Sequence, residues 1–314
     1  LRALSGAWRE QGLRSLEAVH AARREPARGV RVTRTPDMPP GWELWRADRD
    51  ILACRKDCKA ALAALGWTPS SRLELPASAL AGRAPLGELG PDLLVRRLRH
   101  GGLLRFATGE RYLDPDRPFR EARLSARLAD AGVPTAEVVA ARAQRLALLG
   151  WRLELVVRRV ADAQDLGRIM ESARAAGARL PPGLLRATGA LARRLHDLGF
   201  EHADLQPNNL LVRGAPAAGA LLVLDLDGSR FHASMDEHSR ARNLARLARF
   251  VARREARDGA SLTRADWLRA LAGYEPRLAE RRRMALRLRS LARRSWWWHR
   301  IGWRFETLRG ERRR

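Results

Sequence analysis

The segment from His202 to Gly228 constrains this chain more than any other. It begins His202-Ala203-Asp204-Leu205-Gln206-Pro207-Asn208-Asn209 and turns apolar at Leu210-Leu211-Val212. A second apolar run, Leu221-Leu222-Val223-Leu224, ends on Asp225-Leu226-Asp227-Gly228. Two short apolar runs joined by turn residues read as a hairpin, with strands that aim the polar residues at their ends. Asp204 lies five residues before Asn209. An acid that accepts a hydroxyl proton, an amide that ligates Mg²⁺ and a second metal-binding acid make up the pattern of a phosphoryl-transfer catalytic loop. Such transfer needs alignment and charge neutralisation more than covalent help. Asp204 is thus the candidate catalytic residue, and Asn209 and Asp225 are the candidate Mg²⁺ ligands. The competing reading is an acidic turn followed by an Asn-rich loop; each residue alone is weak evidence, and the combination carries the argument. His202 reads as a structural histidine tying the loop to the Asp225 strand. Asp227 is either a further metal ligand or a helix-capping acid.

Composition narrows the setting. At 314 residues and 46% apolar, the chain can bury one large core or two lobes, and it is too apolar for a disordered protein. No apolar run approaches the ~20 residues of a membrane span. The first residues lack the apolar stretch of a signal peptide, so none is expected. Cys54 and Cys58 have no metal-site partners in sequence and read as two reduced thiols, which fits a cytosolic location. The formal net charge is +25 and almost wholly arginine, since Lys56 and Lys59 are the only lysines. Such a surface seeks polyanions, whether nucleic acid, anionic lipid or phosphorylated saccharide. Charge alone does not choose among them.

Along the chain, strands come first and helices later. Residues 1–71 read as a partly helical N-terminal extension with a proline-rich linker at Thr33–Pro40, a strand pair within Trp42–Leu52 and a short helix from Lys59 closed by Gly66. Residues 72–160 read as a strand-rich lobe containing a helix over Phe119–Ala131. Residues 161–275 read as a helical lobe, and 276–314 as a basic, Trp-rich helical tail. The expected class is α+β, with two lobes and a cleft between them.

Further stretches point to one family. His196-Asp197-Leu198-Gly199-Phe200-Glu201-His202-Ala203-Asp204-Leu205 resembles the catalytic region of the lipopolysaccharide kinase (Kdo/WaaP) family. Leu94-Val95-Arg96-Arg97-Leu98-Arg99-His100-Gly101-Gly102-Leu103 is similar to its V-L-R-H-Y-R-R-G-G-L element. Arg111-Tyr112-Leu113 with Pro118-Phe119-Arg120-Glu121, Ala131-Gly132-Val133-Pro134-Thr135-Ala136 and Asn243-Leu244-Ala245-Arg246-Leu247 follow in the family's order. The likeness covers about residues 80 to 275 and is greatest to the members acting on 3-deoxy-D-manno-octulosonic acid (Kdo).

The resemblance implies a two-lobed protein-kinase-like fold that uses ATP and Mg²⁺ to phosphorylate a sugar hydroxyl, of Kdo or heptose, in the lipopolysaccharide inner core. By position, Glu121 is the helix acid that orients a phosphate-binding cation. Arg96 stands where most kinases carry a lysine; the bland alternative is a solvated strand arginine. Arginine neutralises and forks onto phosphate but differs from lysine in bulk and geometry. Gly82 offers one glycine of a phosphate-covering loop that usually has three, and a plain turn is the equal alternative. The implied acceptor is a lipid A–core glycolipid.

The tail residues Met284, Leu288, Leu291 and Ser295–Trp298 share a helical face among arginines. This is the profile either of a helix in an anionic membrane interface or of a closing helix packed on the large lobe. Peripheral contact at the cytoplasmic face of an inner membrane is therefore expected, and nucleic acid is disfavoured for want of a matching motif. Two rival readings stand beside this one: a kinase-like enzyme with a protein or other small-molecule acceptor, and a pseudokinase scaffold binding membrane or nucleic acid. The sequence is silent on oligomeric state.

Overall fold

The computed structural model describes residues 36–47, 50–68, 86–89, 91–99, 110–146, 150–217, 219–259 and 261–292. Contacts divide the chain into two compact units, residues 1–130 with 136–160, and residues 131–135 with 161–314.

The first unit is built on one antiparallel sheet of six strands: β1 (Trp42–Ala47), β2 (Asp50–Arg55), β3 (Leu86–Glu88), β4 (Leu93–Arg97), β5 (Val138–Arg145) and β6 (Trp151–Arg158), in the order β1-β2-β5-β6-β4-β3. Among the described residues, two α-helices flank it, α1 (Lys59–Ala64) and α2 (Arg117–Asp130). Because side chains alternate across a strand, neighbours in sequence enter different cores. Leu52, Cys54, Val95 and Val156 pack with Leu62 of α1 and with Trp67. Ile51, Ala53, Ala141, Leu153 and Leu155 pack with Phe119 and Ala122 of α2. Both faces of the sheet are thus covered, which is why the run Ile51-Leu52-Ala53-Cys54 is buried throughout.

The expected extension over residues 1–71 needs correction. β1 and β2 are edge and inner strands of the main sheet, and α1 contributes to one of its two cores. A fully apolar strand such as β2 needs cover on both faces, so it cannot stand apart from the sheet. Residues 1–35 lie outside the described residues. Cys54 and Cys58 are free and buried, and burial pushes the Cys54 thiol up to about 12.

A charged row crosses the face of the sheet that carries Trp67. Glu154 on β6 stands opposite Arg142 on β5 and Arg97 on β4. Arg142 Nε donates to Glu154 Oε2 at 3.0 Å and Arg97 Nη2 to Glu154 Oε1 at 3.0 Å. The Arg142 guanidinium lies 5.2 Å from the Trp67 ring centroid and also donates to the Thr68 carbonyl. A buried acid of this kind survives only because its oxygens are saturated by charged donors.

The second unit contains a three-stranded antiparallel sheet in the order β10-β9-β7, from β7 (Ala163–Asp165), β9 (Leu210–Arg213) and β10 (Ala220–Val223). A small two-stranded ladder joins β8 (Phe200–Glu201) to β11 (Arg230–Phe231). Around them lie α3 (Leu166–Ala175), α4 (Pro182–Asp197), α5 (Glu237–Asp258) and α6 (Arg264–Tyr274), followed by helical residues 278–292. Asp165, Asp236 and Thr263 each accept a backbone N–H at a helix start, and Thr263 with Asp266 forms a reciprocal capping box on α6.

The stretch after residue 276 is not a separate tail as far as residue 292. Met284 joins a core with Ala192, Ala241, Leu244 and Tyr274, and Leu288 and Leu291 pack against it. Ser295–Trp298, Trp303 and Phe305 lie outside the described residues.

Helices α4 and α6 approach closely because glycines line both. A Cβ added at Gly189 would meet the Ala270 carbonyl oxygen at 1.9 Å, and one at Gly273 the Arg186 carbonyl oxygen at 1.9 Å. Neither neighbour is a side chain that can swing aside. Gly189→Ala or Gly273→Ala should therefore lower unfolding stability by about 1–3 kcal/mol in urea denaturation, the range for forcing an extra methyl into a packed contact. Gly177→Ala, where an added Cβ meets nothing within 4 Å, should lose only the smaller cost of a positive φ.

Candidate functional site

The loop from His202 to Asn209 follows β8, and a 3-10 turn over Pro207–Asn209 leads into β9. β9 pairs with β10 with Leu210 opposite Val223, so the expected hairpin forms. This register places Leu224, the residue after β10, beside the loop. Leu224 N donates to the Asn209 carbonyl at 2.9 Å, and the Leu224 carbonyl accepts from His202 Nε2 at 2.9 Å. Pinned on both sides, Leu224 delivers Asp225 to the loop. Asp225 then adopts φ +56°, an uncommon left-handed conformation for a residue with a Cβ. It turns the chain toward Gly228, where Ser229 N bonds the Leu226 carbonyl and Ser229 Oγ accepts from Ala203 N at 2.9 Å.

Asp204 and Asn209 meet directly. Asn209 Nδ2 donates to the Asp204 carbonyl at 2.8 Å and to Asp204 Oδ2 at 3.2 Å. Gln206 Nε2 also reaches Asp204 Oδ2, at 2.5 Å. Both Asn209 bonds use the amide nitrogen, so Oδ1, the side-chain atom able to ligate a cation, is not spent on Asp204. Likewise the Gln206 and Asn209 amides converge on one carboxylate oxygen of Asp204, Oδ2.

His202 is wholly buried, and its partners set its tautomer. The Leu224 carbonyl can only accept, so Nε2 carries the hydrogen. Asp204 N donates to Nδ1 at 3.1 Å, so Nδ1 is the acceptor. A second proton would have to displace the Asp204 N–H. Burial holds the ring's pKa below its usual value, in keeping with a neutral structural histidine and not a base.

A polar chain runs on behind the loop. The His202 carbonyl accepts from Asn243 Nδ2 of α5 at 2.7 Å. Asn243 Oδ1 faces His196 Nε2 of α4 at 3.1 Å, and His196 Nδ1 faces the Tyr274 hydroxyl of α6 at 2.9 Å. Since the Asn243 amide nitrogen is the donor to His202, Oδ1 accepts and His196 is again the neutral Nε2–H form. Burial lowers the His196 pKa from 6.5 to about 4. Three helices therefore converge on one carbonyl of the catalytic loop.

In the first unit, Arg96 and Arg97 point to opposite faces of β4. Arg97 is held by Glu154 and by Glu110. Arg96 Nη2 donates to Glu121 Oε2 on α2, with Glu121 buried and Arg96 partly so. The pair expected from the resemblance thus forms, and the solvated-strand alternative for Arg96 does not hold. Gly82 lies outside the described residues. Asp227 sits in the turn before Ser229.

Among the described residues, no group of three or more His, Cys, Asp or Glu side chains could hold a metal. The fit to Mg²⁺ does not require one: this ion is typically held by one or two carboxylates plus substrate phosphates, with hard oxygen donors. Asp225 and Asn209 Oδ1 are such donors. Sequence reasoning missed Gln206, His196, Asn243 and Ser229 as partners of the loop. Only Gln206, two residues from Asp204, carried a local signal.

Comparison with known proteins agrees on one family. The profile of the lipopolysaccharide kinase (Kdo/WaaP) family matches residues 98–274. The 3-deoxy-D-manno-octulosonic acid kinase of Actinobacillus succinogenes is 33% identical over 190 residues, covering 59% of this chain and 76% of that protein. The enzyme of the same name from Photobacterium profundum is 30% identical over 193 residues, covering 60% and 77%. A solved structure described as WaaP in complex with acyl carrier protein aligns with a TM-score of 0.49 at 21% identity, over 77% of this chain and 98% of that one.

The neutral histidines make stability depend on pH. The folded-state pKa of His196, about 4, lies below the free value of 6.5. Above pH 6.5 both states hold the neutral ring and the full contribution is present. As pH falls from about 6.5 toward 4, the unfolded chain takes up a proton that the fold refuses, and about 3 kcal/mol is lost from His196 alone. The urea midpoint should fall between pH 7 and pH 5, and more shallowly in His196→Asn.

Proposed function

The chain belongs to the lipopolysaccharide kinase (Kdo/WaaP) family, and from that membership and the geometry of the Asp204 loop we propose how it acts. It is an ATP-dependent kinase that transfers phosphate to a sugar hydroxyl of the lipopolysaccharide core. The named relatives are Kdo kinases, which favours Kdo as the acceptor sugar on a lipid A–core glycolipid. The observation that carries the mechanism is the Asn209 amide holding both the carbonyl and one carboxylate oxygen of Asp204.

In this reading the remaining oxygen of Asp204 accepts the proton of the attacking hydroxyl, as the base of the transfer. Asn209 and Asp225 hold Mg²⁺, which when bound neutralises charge on the transferred phosphate. His202 keeps the loop in register and takes no proton. Arg96, oriented by Glu121, grips the nucleotide phosphates. A partly buried guanidinium suits this task because its planar fork matches phosphate oxygens.

No helix of the described residues is long and apolar enough to cross a membrane. With a lipid-linked acceptor and an arginine-rich surface, the chain would work in the cytoplasm, peripherally at the inner face of the inner membrane.

Two substitutions separate the parts of this mechanism. Asp204→Ala should lower kcat for transfer from ATP to a Kdo–lipid A acceptor by at least about 100-fold, with little change in ATP affinity by calorimetry. Arg96→Ala should instead raise the KM for ATP. Full turnover in Asp204→Ala would refute the assignment of the base. Comparing phosphate incorporation into glycolipid, polypeptide and free-sugar acceptors tests the acceptor class.

A further inference from the structure

The second unit carries a large groove that the catalytic chemistry does not use. It is about 1030 Å³ and lies among α4, α5, α6 and helical residues 278–292. Its floor is apolar, with Leu244, Leu271, Leu288 and Leu291 continuing the core beneath. Two of its leucines, Leu268 and Leu286, are 51% and 64% exposed. Soluble surfaces seldom present large apolar side chains beside a cavity of this size without a partner.

The rim is arginine. Arg242, Arg246, Arg249 and Arg253 lie four, three and four residues apart on α5, a spacing that stacks them along one helix face. Arg282 and Arg289 edge the groove from the opposite helix, and Arg264 from α6. The two acids of the lining are engaged elsewhere. Glu201 pairs with Arg230 and His232, and Glu255 accepts from Ser261 and from the Leu262 backbone. Elsewhere on the same helix arginines find acids, as Arg240 does with Asp197 and Arg254 with Glu171. Arg249 has instead Arg246 and Arg253 for neighbours, and burial together with their charge depresses its pKa. A stripe of like charges on one helix face is self-repelling. It is relieved by an anion from outside.

We propose that this groove docks the protein on a bilayer containing anionic phospholipids, with headgroup phosphates between the two arginine stripes and acyl chains against the leucine floor. Charge complementarity selects this occupant. A second copy would set arginine against arginine. The chain beyond residue 292 is also a poor fit, since Arg293, Arg294, Arg300, Arg304, Arg309 and Arg312–Arg314 outnumber Glu306 and Glu311. Nucleic acid would satisfy the rim but not the apolar floor. The groove also abuts the active loop from behind. Asn243 lines it while bonding the His202 carbonyl at 2.7 Å, and Arg246 reaches the same carbonyl at 3.4 Å. The proposal gives the membrane contact suggested above a defined site and does not depend on which sugar is phosphorylated.

Flotation of the full-length protein with vesicles of phosphatidylcholine, with or without phosphatidylglycerol, tests it without ATP. The wild type should float only with the anionic vesicles. Arg249→Ser with Arg253→Ser should weaken that binding by about 30-fold, from the loss of two basic residues at an anionic surface. Arg174→Ser with Arg213→Ser, the same charge change away from the groove, should weaken it far less. Leu268→Ser with Leu286→Ser should leave binding that salt removes more readily. Thermal midpoints of the groove variants should be unchanged or raised, which separates lost docking from lost folding, and their phosphorylation of a deacylated, soluble acceptor should persist. Equal weakening by both arginine pairs would overturn the proposal, as would groove variants that bind like the wild type. So would tighter vesicle binding in Trp296→Ser/Trp297→Ser/Trp298→Ser, which would make the C-terminal segment the occupant. Loss of single-stranded RNA binding with vesicle binding intact would assign the rim to nucleic acid instead and equally overturn it.

Discussion

The second unit depends on one buried polar chain, from the Tyr274 hydroxyl through His196 and Asn243 to the His202 carbonyl, and from the His202 ring to the Leu224 carbonyl. Each link has one donor and one acceptor, and each group is either used or removed from water. Such a chain has a single satisfied arrangement, because reversing any ring or amide leaves a buried donor facing a donor. It joins α4, α5 and α6 to a loop with little regular structure of its own. The loop geometry is thus inherited from the helices. Asp204 and Asn209 are held in register through His202 and each other, and Asp225 follows directly on Leu224, which is clamped between His202 and Asn209.

The first unit meets a different constraint, which is to place neighbouring arginines beside buried acids. Arg96 and Arg97 are adjacent on β4, and strand alternation sends them to opposite faces. Arg97 meets Glu154 and Glu110, and Arg142 adds a second guanidinium to Glu154. That cluster is internally compensated and half hidden under Trp67. Arg96 meets Glu121 on the face covered by α2. The same residue type therefore serves as structure on one face and stands as a candidate phosphate ligand on the other.

These features were unequally legible in the sequence. The hairpin of Leu210–Val212 with Leu221–Val223 was visible because short apolar runs bounded by turn residues have few alternatives. The helix carrying Glu121 was visible from its spacing; it begins at Arg117, two residues earlier than expected, because a proline suits the first turn of a helix. The place of β1 and β2 was not. Local pattern marks a strand but not its neighbours, and β2 pairs with β5, close to ninety residues further on. Long-range pairing also hid the polar chain: His196 and Asn243 each sat in a recognisable stretch, yet nothing local says that they touch. The closing helix was ambiguous for a related reason. Met284, Leu288 and Leu291 form an apolar stripe that would serve a core or a membrane equally well, and only the position of Tyr274 and Leu244 decides in favour of the core.

The arginine excess takes on meaning once it is sorted by partner. Much of it is neutralised locally, by Asp197, Glu275, Asp266 and Glu154 among others, and the exposed pairs among these, such as Arg193 with Asp197, contribute little stability. What remains is concentrated: Arg246, Arg249 and Arg253 crowd one another on α5, although α5 itself contains acids that bind other arginines. A random surplus of positive charge would spread over the surface and find carboxylates at the ordinary rate. A stripe that repels itself beside exposed leucines is stable only if the rest of the unit compensates, and the core formed by Leu244, Tyr274 and Met284 directly beneath supplies that compensation. The helix that holds the His202 loop through Asn243 is thus the same helix that carries the arginine stripe. Asn243 and Arg246, three residues apart, both donate to the His202 carbonyl, so stripe and loop share one rigid element.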